Sequence, residues 1–420
     1  MTQTPFRRRV FYIPGYDPIH PRRYRELYRK EGAEQARISG YSLTLRPKTG
    51  QGPYGWHATA ATSEAEIDVL VWSDIVRNSM DQGIVATYLQ LLRTAWAYIG
   101  SGALYRLMHL RKGPMIAALY PIGMLLLQLA VALALGWLVR TSLFWLLDWG
   151  AKFIEVLAMD TVIPPSRSDL APTASLAIIA GVAALVLAIF KEADNRFYAY
   201  YLMHDYAYSA QYHGAYPHAL EARLAEFGSL IAAALTPDVD EVLVVGHSSG
   251  AHLAVSILAD LLRTGLPPDA PPLAFLSLGH VVPMISFLPR ANRLRADLHY
   301  LSARPDLTWI DVTAPGDGCA FALCDPVSVT GVAPPDKRWP LVISAAFTQT
   351  LSPARWKSLR WRFFRLHFQY LCAFDALSGG PGDYDYFQIT AGPVTLQKRY
   401  ENRAPSKSRI TKPASGYRSR

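Results

Sequence analysis

One short stretch in the second half of the chain, residues 241–252, constrains the fold more than any other. Residues 242–245 favour a strand, and apolar residues recur at helical spacing from 251 to 261. Between them lies a turn of five residues: Gly246, His247, Ser248, Ser249 and Gly250. This order predicts a buried strand, a sharp turn and a helix. Glycine is expected on both sides of the turn because a side chain there would collide with the neighbouring strand or helix.

The five turn residues fit the pattern Gly-X-Ser-X-Gly, and the stretch resembles the nucleophile elbow of the α/β-hydrolase superfamily. The resemblance implies an α/β fold in which a mostly parallel sheet is flanked by helices, with Ser248 as the nucleophile. It also implies an oxyanion hole built from backbone N–H groups, one of them at Ser249. The second would lie in a loop after an early strand, a position that Gly15 and Tyr16 match; an ordinary turn would have the same sequence.

The superfamily orders its catalytic residues as Ser, then Asp or Glu, then His. Asp317 and Asp325 both follow the strand predicted at residues 307–313. We expect Asp317 to be the acid and keep Asp325 as the alternative, although a turn aspartate would suit either position. His367 is the only histidine after the last predicted strand. It falls in residues 356–371, which we predict to be helical, whereas the superfamily usually carries this histidine on a loop.

Two uncharged apolar segments interrupt the predicted α/β domain. Residues 114–139 and 170–190 carry no charge over 26 and 21 residues, which is enough to cross about 30 Å of hydrocarbon. Residues 141–157 place charges on one helical face and apolar residues on another, so we expect them to lie along the membrane interface. Strands are predicted on both sides of this region, so an even number of spans is needed to keep one sheet intact.

These segments predict four parts. Residues 1–109 are the N-terminal part of the α/β domain, 110–192 a two-helix membrane insertion, 193–395 the C-terminal part with the triad, and 396–420 a basic disordered tail. Flanking Lys and Arg residues favour both termini and the catalytic domain on the cytoplasmic side of an inner or cytoplasmic membrane.

The net charge of +9 is not organised into a nucleic-acid-binding motif, so an anionic membrane is the expected partner and nucleic acid is not. The three cysteines form no Cys-X-X-Cys pair, and we expect neither a metal site nor a cofactor. The predicted function is a membrane-anchored serine hydrolase that cleaves carboxylic esters, with lipid-like esters as the expected substrates. The alternative is a catalytically silent membrane scaffold or interaction protein that keeps the fold.

Overall fold

The computed structural model describes residues 4–50, 52–80, 83–158, 171–380 and 383–419. These residues form an α/β structure with an eight-stranded mixed sheet flanked by helices. The chain divides into two compact units. Unit 1 comprises Met1–Asp81, Arg93–Ala117 and Ala207–Arg420, and unit 2 comprises Gln82–Leu92 and Ala118–Tyr206.

The whole sheet belongs to unit 1. In chain order its strands are β1 Phe6–Ile13, β2 Thr44–Pro47, β3 Gly55–Ala60, β4 Ser63–Val69, β5 Glu241–His247, β6 Leu273–Leu278, β7 Leu307–Thr313 and β8 Leu341–Ser344. In space their order is β2-β3-β4-β1-β5-β6-β7-β8. Strand β3 runs antiparallel to β2 and β4, and the remaining neighbours are parallel.

The helices account for most of the remaining described residues. They are α1 Arg22–Ser39, α2 Ser73–Met80, α3 Ile84–Gly100, α4 Ala103–Leu110, α5 Lys112–Ala158, α6 Ala171–Glu192, α7 Asp194–Phe197, α8 Ala199–Ala210, α9 His218–Ala232, α10 Gly250–Thr264, α11 Val282–Ser286, α12 Asn292–Ala303, α13 Pro326–Thr330, α14 Phe347–Thr350, α15 Pro353–Leu359, α16 Phe363–His367, α17 Tyr386–Ala391 and α18 Leu396–Tyr400. A 3-10 helix, Phe368–Leu371, follows α16 directly.

The centre of the sheet is buried on both faces, which explains why its strands are almost continuously apolar in sequence. Every residue of β5 is buried. The chain leaves β1 toward the β4 side of the sheet and leaves β5 toward the β6 side. The point where the direction of winding reverses therefore lies between β1 and β5, and ligands of open α/β sheets bind beyond the carboxyl ends of the strands at such a point.

A buried ion pair joins the amino ends of the same two strands. Arg8 Nε donates to Glu241 Oε2 over 2.6 Å, and each side chain is only 1% exposed. The guanidinium also donates to the backbone oxygens of Gly392 and Val394, and Glu241 accepts the N–H of Leu396. The pair thus ties the C-terminal segment to the two central strands.

In unit 2, helices α5 and α6 pack against each other in opposite directions. Gly136 approaches Ile179 so closely that a β-carbon would lie 2.8 Å from the Ile179 oxygen, and one turn further along α5 the Arg140 side chain donates to Ser175. Small residues at such a contact let two helix backbones approach closely. The residues between the two helices, 159–170, lie outside the described part of the chain.

Three features of the structure differ from the sequence predictions. Helix α5 continues without a break through residues 141–157, which were expected to form a separate interfacial helix. Charged side chains on one face of a helix do not interrupt its backbone hydrogen bonds. Residues 356–371 form two short helices and a 3-10 helix rather than one helix. The tail expected to be disordered has a defined path: Ile410 donates to Leu323 and accepts from Asp325.

Candidate active site

Ser248 occupies a strained turn between β5 and α10. Its φ of 57° lies in the left-handed region, which residues with a side chain rarely adopt. The turn is held by backbone hydrogen bonds from Ser248 N to Leu278 O, 2.9 Å, and from Ala251 N to Ser248 O, 3.2 Å. Strain of this kind needs support from the surrounding structure and is common at functional sites.

Close backbone approaches explain the glycines around the turn. A β-carbon on Gly250 would overlap the carbonyl oxygen of Ile13, and one on Gly246 would lie 2.7 Å from the α-carbon of Ala251. On Gly15, in the loop after β1, a β-carbon would lie 3.0 Å from that of Ser248. The loop after β1 and the turn after β5 therefore meet at Ser248.

The two residues predicted to supply the oxyanion hole lie at this meeting point. Tyr16 follows Gly15, and Ser249 follows Ser248 and precedes the first residue of α10. Both are buried. The amino end of α10 carries the positive end of the helix dipole, which favours negative charge next to Ser248.

His367 and Asp317, 50 residues apart in sequence, form a buried hydrogen-bonded pair. His367 Nδ1 lies 2.8 Å from Asp317 Oδ2, so the carboxylate accepts a proton that the ring carries on Nδ1. The other ring nitrogen, Nε2, is buried and has no hydrogen-bond partner among the described residues. In this tautomer Nε2 has a free lone pair, which is the property a general base requires.

Further hydrogen bonds hold Asp317 in its ionised form. Its Oδ2 also accepts the hydroxyl of Tyr370 over 3.0 Å, and its Oδ1 accepts the N–H of Cys319 over 2.9 Å. Burial acts to raise the pKa of Asp317, but His367 and these donors outweigh burial and lower the pKa below its usual value. The carboxylate is therefore charged at neutral pH and can stabilise a positive charge on His367.

Asp325, the alternative acid, makes contacts of a different kind. Its Oδ1 caps α13 by accepting the N–H groups of Val327 and Ser328, and its Oδ2 pairs with Lys337 Nζ at 2.7 Å. The structure thus brings Asp317 to His367 and places Asp325 in a structural cap and ion pair.

The carboxyl end of β6 places the histidine beside the serine. Ser248 bonds to the backbone of Leu278, and a β-carbon on the next residue, Gly279, would lie 3.1 Å from His367 Cε1 and 2.7 Å from Tyr370 Cε2. Gly279 also has a positive φ of 53°. Glycine at this position therefore leaves room for His367 and Tyr370 next to the serine turn.

His247 supports the backbone of His367. Its Nε2 lies 3.0 Å from the carbonyl oxygen of His367, and the centroids of the two rings are 4.8 Å apart. Burial, followed by the charge of His367, lowers the pKa of His247 to about 3. His247 is therefore neutral and can donate from Nε2 to the His367 carbonyl at physiological pH.

The side chain of Cys319 lies close to the same pair. One ligand atom from each of Asp317, Cys319 and His367 lies within 4.8 Å of the others, a grouping that could hold a metal ion. Burial of the Cys319 thiol, followed by the charge of Asp317, raises the pKa of this thiol well above its usual value. A metal-binding thiol must lose its proton, so these surroundings favour the hydrogen-bonded arrangement.

Sequence reasoning assigned no role to Gly279, Cys319 or Tyr370. Gly279 gives one local signal, since it directly follows the apolar run of β6. The contacts of Cys319 and Tyr370 with Asp317 arise only when distant segments fold together.

Comparison of the chain with models of protein families, with curated proteins and with solved structures finds no match.

Proposed function

We propose that this protein is a membrane-anchored serine hydrolase that cleaves carboxylic esters through an acyl-enzyme. The observation that carries the proposal is the buried Asp317–His367 hydrogen bond. His367 Nε2, close to a serine in a strained turn, has no partner within the described part of the chain. An oriented histidine with an ionised acid behind it is the arrangement that activates a serine hydroxyl.

Each residue has a defined part in the proposed reaction. Ser248 Oγ attacks the ester carbonyl carbon while its proton passes to His367 Nε2, and Asp317 stabilises the resulting imidazolium. Backbone N–H groups at Tyr16 and Ser249 are proposed to bind the oxyanion. The imidazolium then gives its proton to the departing alcohol, and a water molecule activated by the same histidine releases the acid and restores Ser248.

The hydrogen bond between His367 Nε2 and the Ser248 hydroxyl is not formed in this structure. Catalytic hydrogen bonds are often loose without substrate and shorten in the substrate complex. Rotation of the Ser248 hydroxyl toward Nε2 on ester binding is therefore part of the proposal.

The proposed relationship to the α/β-hydrolases rests on the surroundings of the turn. Parallel strands lie on both sides of β5, a helix starts two residues after Ser248, and the serine lies where the winding of the sheet reverses. The triad order Ser248, Asp317, His367 is also the order of that superfamily.

The proposed membrane anchor rests on two helices. Lys112–Ile154 and Pro172–Glu192 are long and apolar enough to cross a membrane, with mean hydropathies of 2.3 and 2.5. Only 22% and 17% of their most apolar windows are buried by the protein, whereas a core helix of a soluble protein is mostly buried. A membrane covering these exposed apolar surfaces is the simplest explanation, and esters dissolved in that membrane are the proposed substrates.

The test is hydrolysis of medium-chain and long-chain esters by the purified full chain in lipid nanodiscs. Ser248→Ala should reduce kcat/KM by at least about 10³-fold, whereas the matched Ser249→Ala variant keeps the backbone N–H and should retain most of the activity. Hydrolysis unaffected by Ser248→Ala would contradict the proposal. No hydrolysis by a folded chain would favour the silent scaffold.

A further inference from the structure

A positively charged segment precedes the active-site histidine. Residues 353–367 contain five cationic residues and no acidic one. Arg355 is paired with Glu31 at 3.1 Å. The other four cations, all exposed, are Lys357, Arg360, Arg362 and Arg365.

Three large apolar side chains lie between these cations, and the least exposed of them, Phe364, is 37% exposed. Trp361 is 73% exposed and Phe363 is 48% exposed, and the Arg360 guanidinium lies 5.6 Å from the centroid of the Trp361 ring. The ends of the segment are anchored, because Trp356 contacts Gly316 and Leu366 is fully buried. The anchored ends thus keep the rings of Trp361 and Phe363 exposed at the protein surface. We call Lys357, Arg360, Trp361, Arg362, Phe363 and Arg365 the basic-aromatic surface.

This surface lies next to the catalytic acid and next to the start of the long apolar helix. A β-carbon on Gly318, the residue after Asp317, would lie 3.2 Å from Phe363 Cδ1. A β-carbon on Gly113, in the first turn of α5, would lie 3.5 Å from the α-carbon of Gly318. All these residues belong to unit 1. The basic-aromatic surface and the first turn of α5 therefore both contact the loop that carries Asp317.

We infer that the basic-aromatic surface docks on the anionic headgroup layer of the same membrane that α5 enters. The inference rests on the membrane anchor of the proposed function. Clusters of at least four Lys and Arg residues beside an apolar helix are attracted to anionic lipid, and tryptophan favours the headgroup layer, where its ring is half buried and its N–H is hydrated. The contact with Gly318 places this surface at the start of α5.

Docking would place the loop of Asp317 and the nearby His367 at the depth of the ester groups of the lipids. The substrate class that fits is an ester whose reactive carbonyl lies near the headgroups, such as a glycerolipid. Access of substrate to Ser248 should therefore depend on the charge of the membrane as well as on the length of the acyl chain.

The test uses the full chain in nanodiscs of phosphatidylcholine alone or of phosphatidylcholine with phosphatidylglycerol. Brominated lipid quenches tryptophan that enters the headgroup layer, and the difference between the parent chain and Trp361→Phe isolates Trp361. We expect strong quenching of Trp361 in the anionic discs and weak quenching in the neutral discs. The charge variant combines Lys357→Gln, Arg360→Gln, Arg362→Gln and Arg365→Gln, and should reduce the docking equilibrium constant by about 100-fold or more.

A matched control removes the same number of charges from four exposed cations of the C-terminal segment. It combines Arg403→Gln, Lys407→Gln, Arg409→Gln and Lys412→Gln, and should leave the quenching of Trp361 unchanged. Equal quenching in both kinds of disc, or an equal loss in the control, would overturn the inference. The inference would also be overturned if added RNA or an acidic polypeptide covered Trp361 in place of lipid.

Labelling of Ser248 by a phosphonate probe, measured on the same samples, separates the two proposals. A chain that is labelled but shows no lipid-dependent quenching overturns docking and leaves the hydrolase intact. A chain that shows the quenching but is not labelled supports docking and contradicts the hydrolase.

Discussion

The hydroxyl of Tyr370 lies 3.0 Å from Oδ2 of Asp317, the same carboxylate oxygen that accepts the hydrogen bond of His367. The tyrosine hydroxyl in turn accepts the backbone N–H of Ala314 over 2.9 Å. Tyr370 therefore connects the end of β7 to the acid and helps to fix the carboxylate against His367.

The first prediction concerns Tyr370→Phe. The variant leaves the buried N–H of Ala314 without an acceptor, so it should lose about 1–3 kcal/mol of stability. It also removes a donor from the Asp317 carboxylate and should lower kcat/KM by roughly 10- to 100-fold, since a hydrogen bond to a charged group is worth about 1.5–3 kcal/mol. Chemical denaturation and ester hydrolysis measure the two effects, and a variant with unchanged kcat/KM would show that Tyr370 does not position the acid.

The same variant should change the response to acid. Because the folded-state pKa of Asp317 is lowered, its contribution to stability is fully present above the ordinary carboxyl pKa of about 3.9 and is lost as pH falls through the lower folded value. Without the Tyr370 donor the folded pKa rises toward the ordinary value, so this loss should be smaller and should be complete at a higher pH. A denaturation series against pH that shows no such change would contradict the assignment.

The second prediction separates the two aspartates. Asp317→Asn should reduce turnover by roughly 10³–10⁴-fold, because the imidazolium loses its charged partner and the tautomer is no longer fixed. Asp325→Asn keeps an oxygen that can cap α13 but loses its charge next to Lys337, so it should cost about 1–2 kcal/mol of stability and leave turnover nearly intact. Similar large losses of turnover in both variants would contradict the distinct roles given to them.

The strands around the site were largely predictable, whereas the contacts between distant segments were not. The strand predicted at residues 307–313 matches β7 to the residue, because a strand buried on both faces is rich in apolar residues. Strands β2 and β3 were not predicted: β2, at one edge of the sheet, is short and carries Arg46. Edge strands are often short and charged, so they lack the apolar signal.

The predicted role of His367 depends on features that sequence periodicity does not report. Its segment has helical spacing throughout, but α15 ends at Leu359 and α16 begins at Phe363. The interruption lets Trp356 and Phe363 pack on the loop glycines Gly316 and Gly318, and these contacts belong to the tertiary structure. The C-terminal tail is a second case in which tertiary contacts decide the structure. Its composition is that of a disordered segment, but its backbone bonds to residues near Cys324.

The third prediction concerns Cys319 and metal. If the site works through the hydrogen-bonded pair, strong chelators should leave ester hydrolysis unchanged, and Cys319→Ser should retain most of the activity because the N–H that Asp317 accepts comes from the backbone. Loss of activity on chelation with recovery on adding zinc would instead assign Asp317, Cys319 and His367 to a metal site.

The fourth prediction concerns the orientation of the chain in the membrane. The two proposed spans would place both termini on one side, so reporters fused after Ser166 and after the C-terminal Arg420 should give opposite locations. Lys and Arg residues outside the spans favour a cytoplasmic C-terminus. Identical locations for the two reporters would rule out the two-span arrangement.

The most direct test of the central claim is covalent labelling of the folded full chain in nanodiscs with a fluorophosphonate, followed by mass spectrometry of the peptide that contains residues 246–250. An activated serine in the turn predicts a single adduct on Ser248, absent in Ser248→Ala and strongly reduced in His367→Ala, because the phosphonate reacts with the serine that the histidine deprotonates. An adduct on Ser249, or no adduct on a folded chain, would contradict the claim that Ser248, His367 and Asp317 form a catalytic triad.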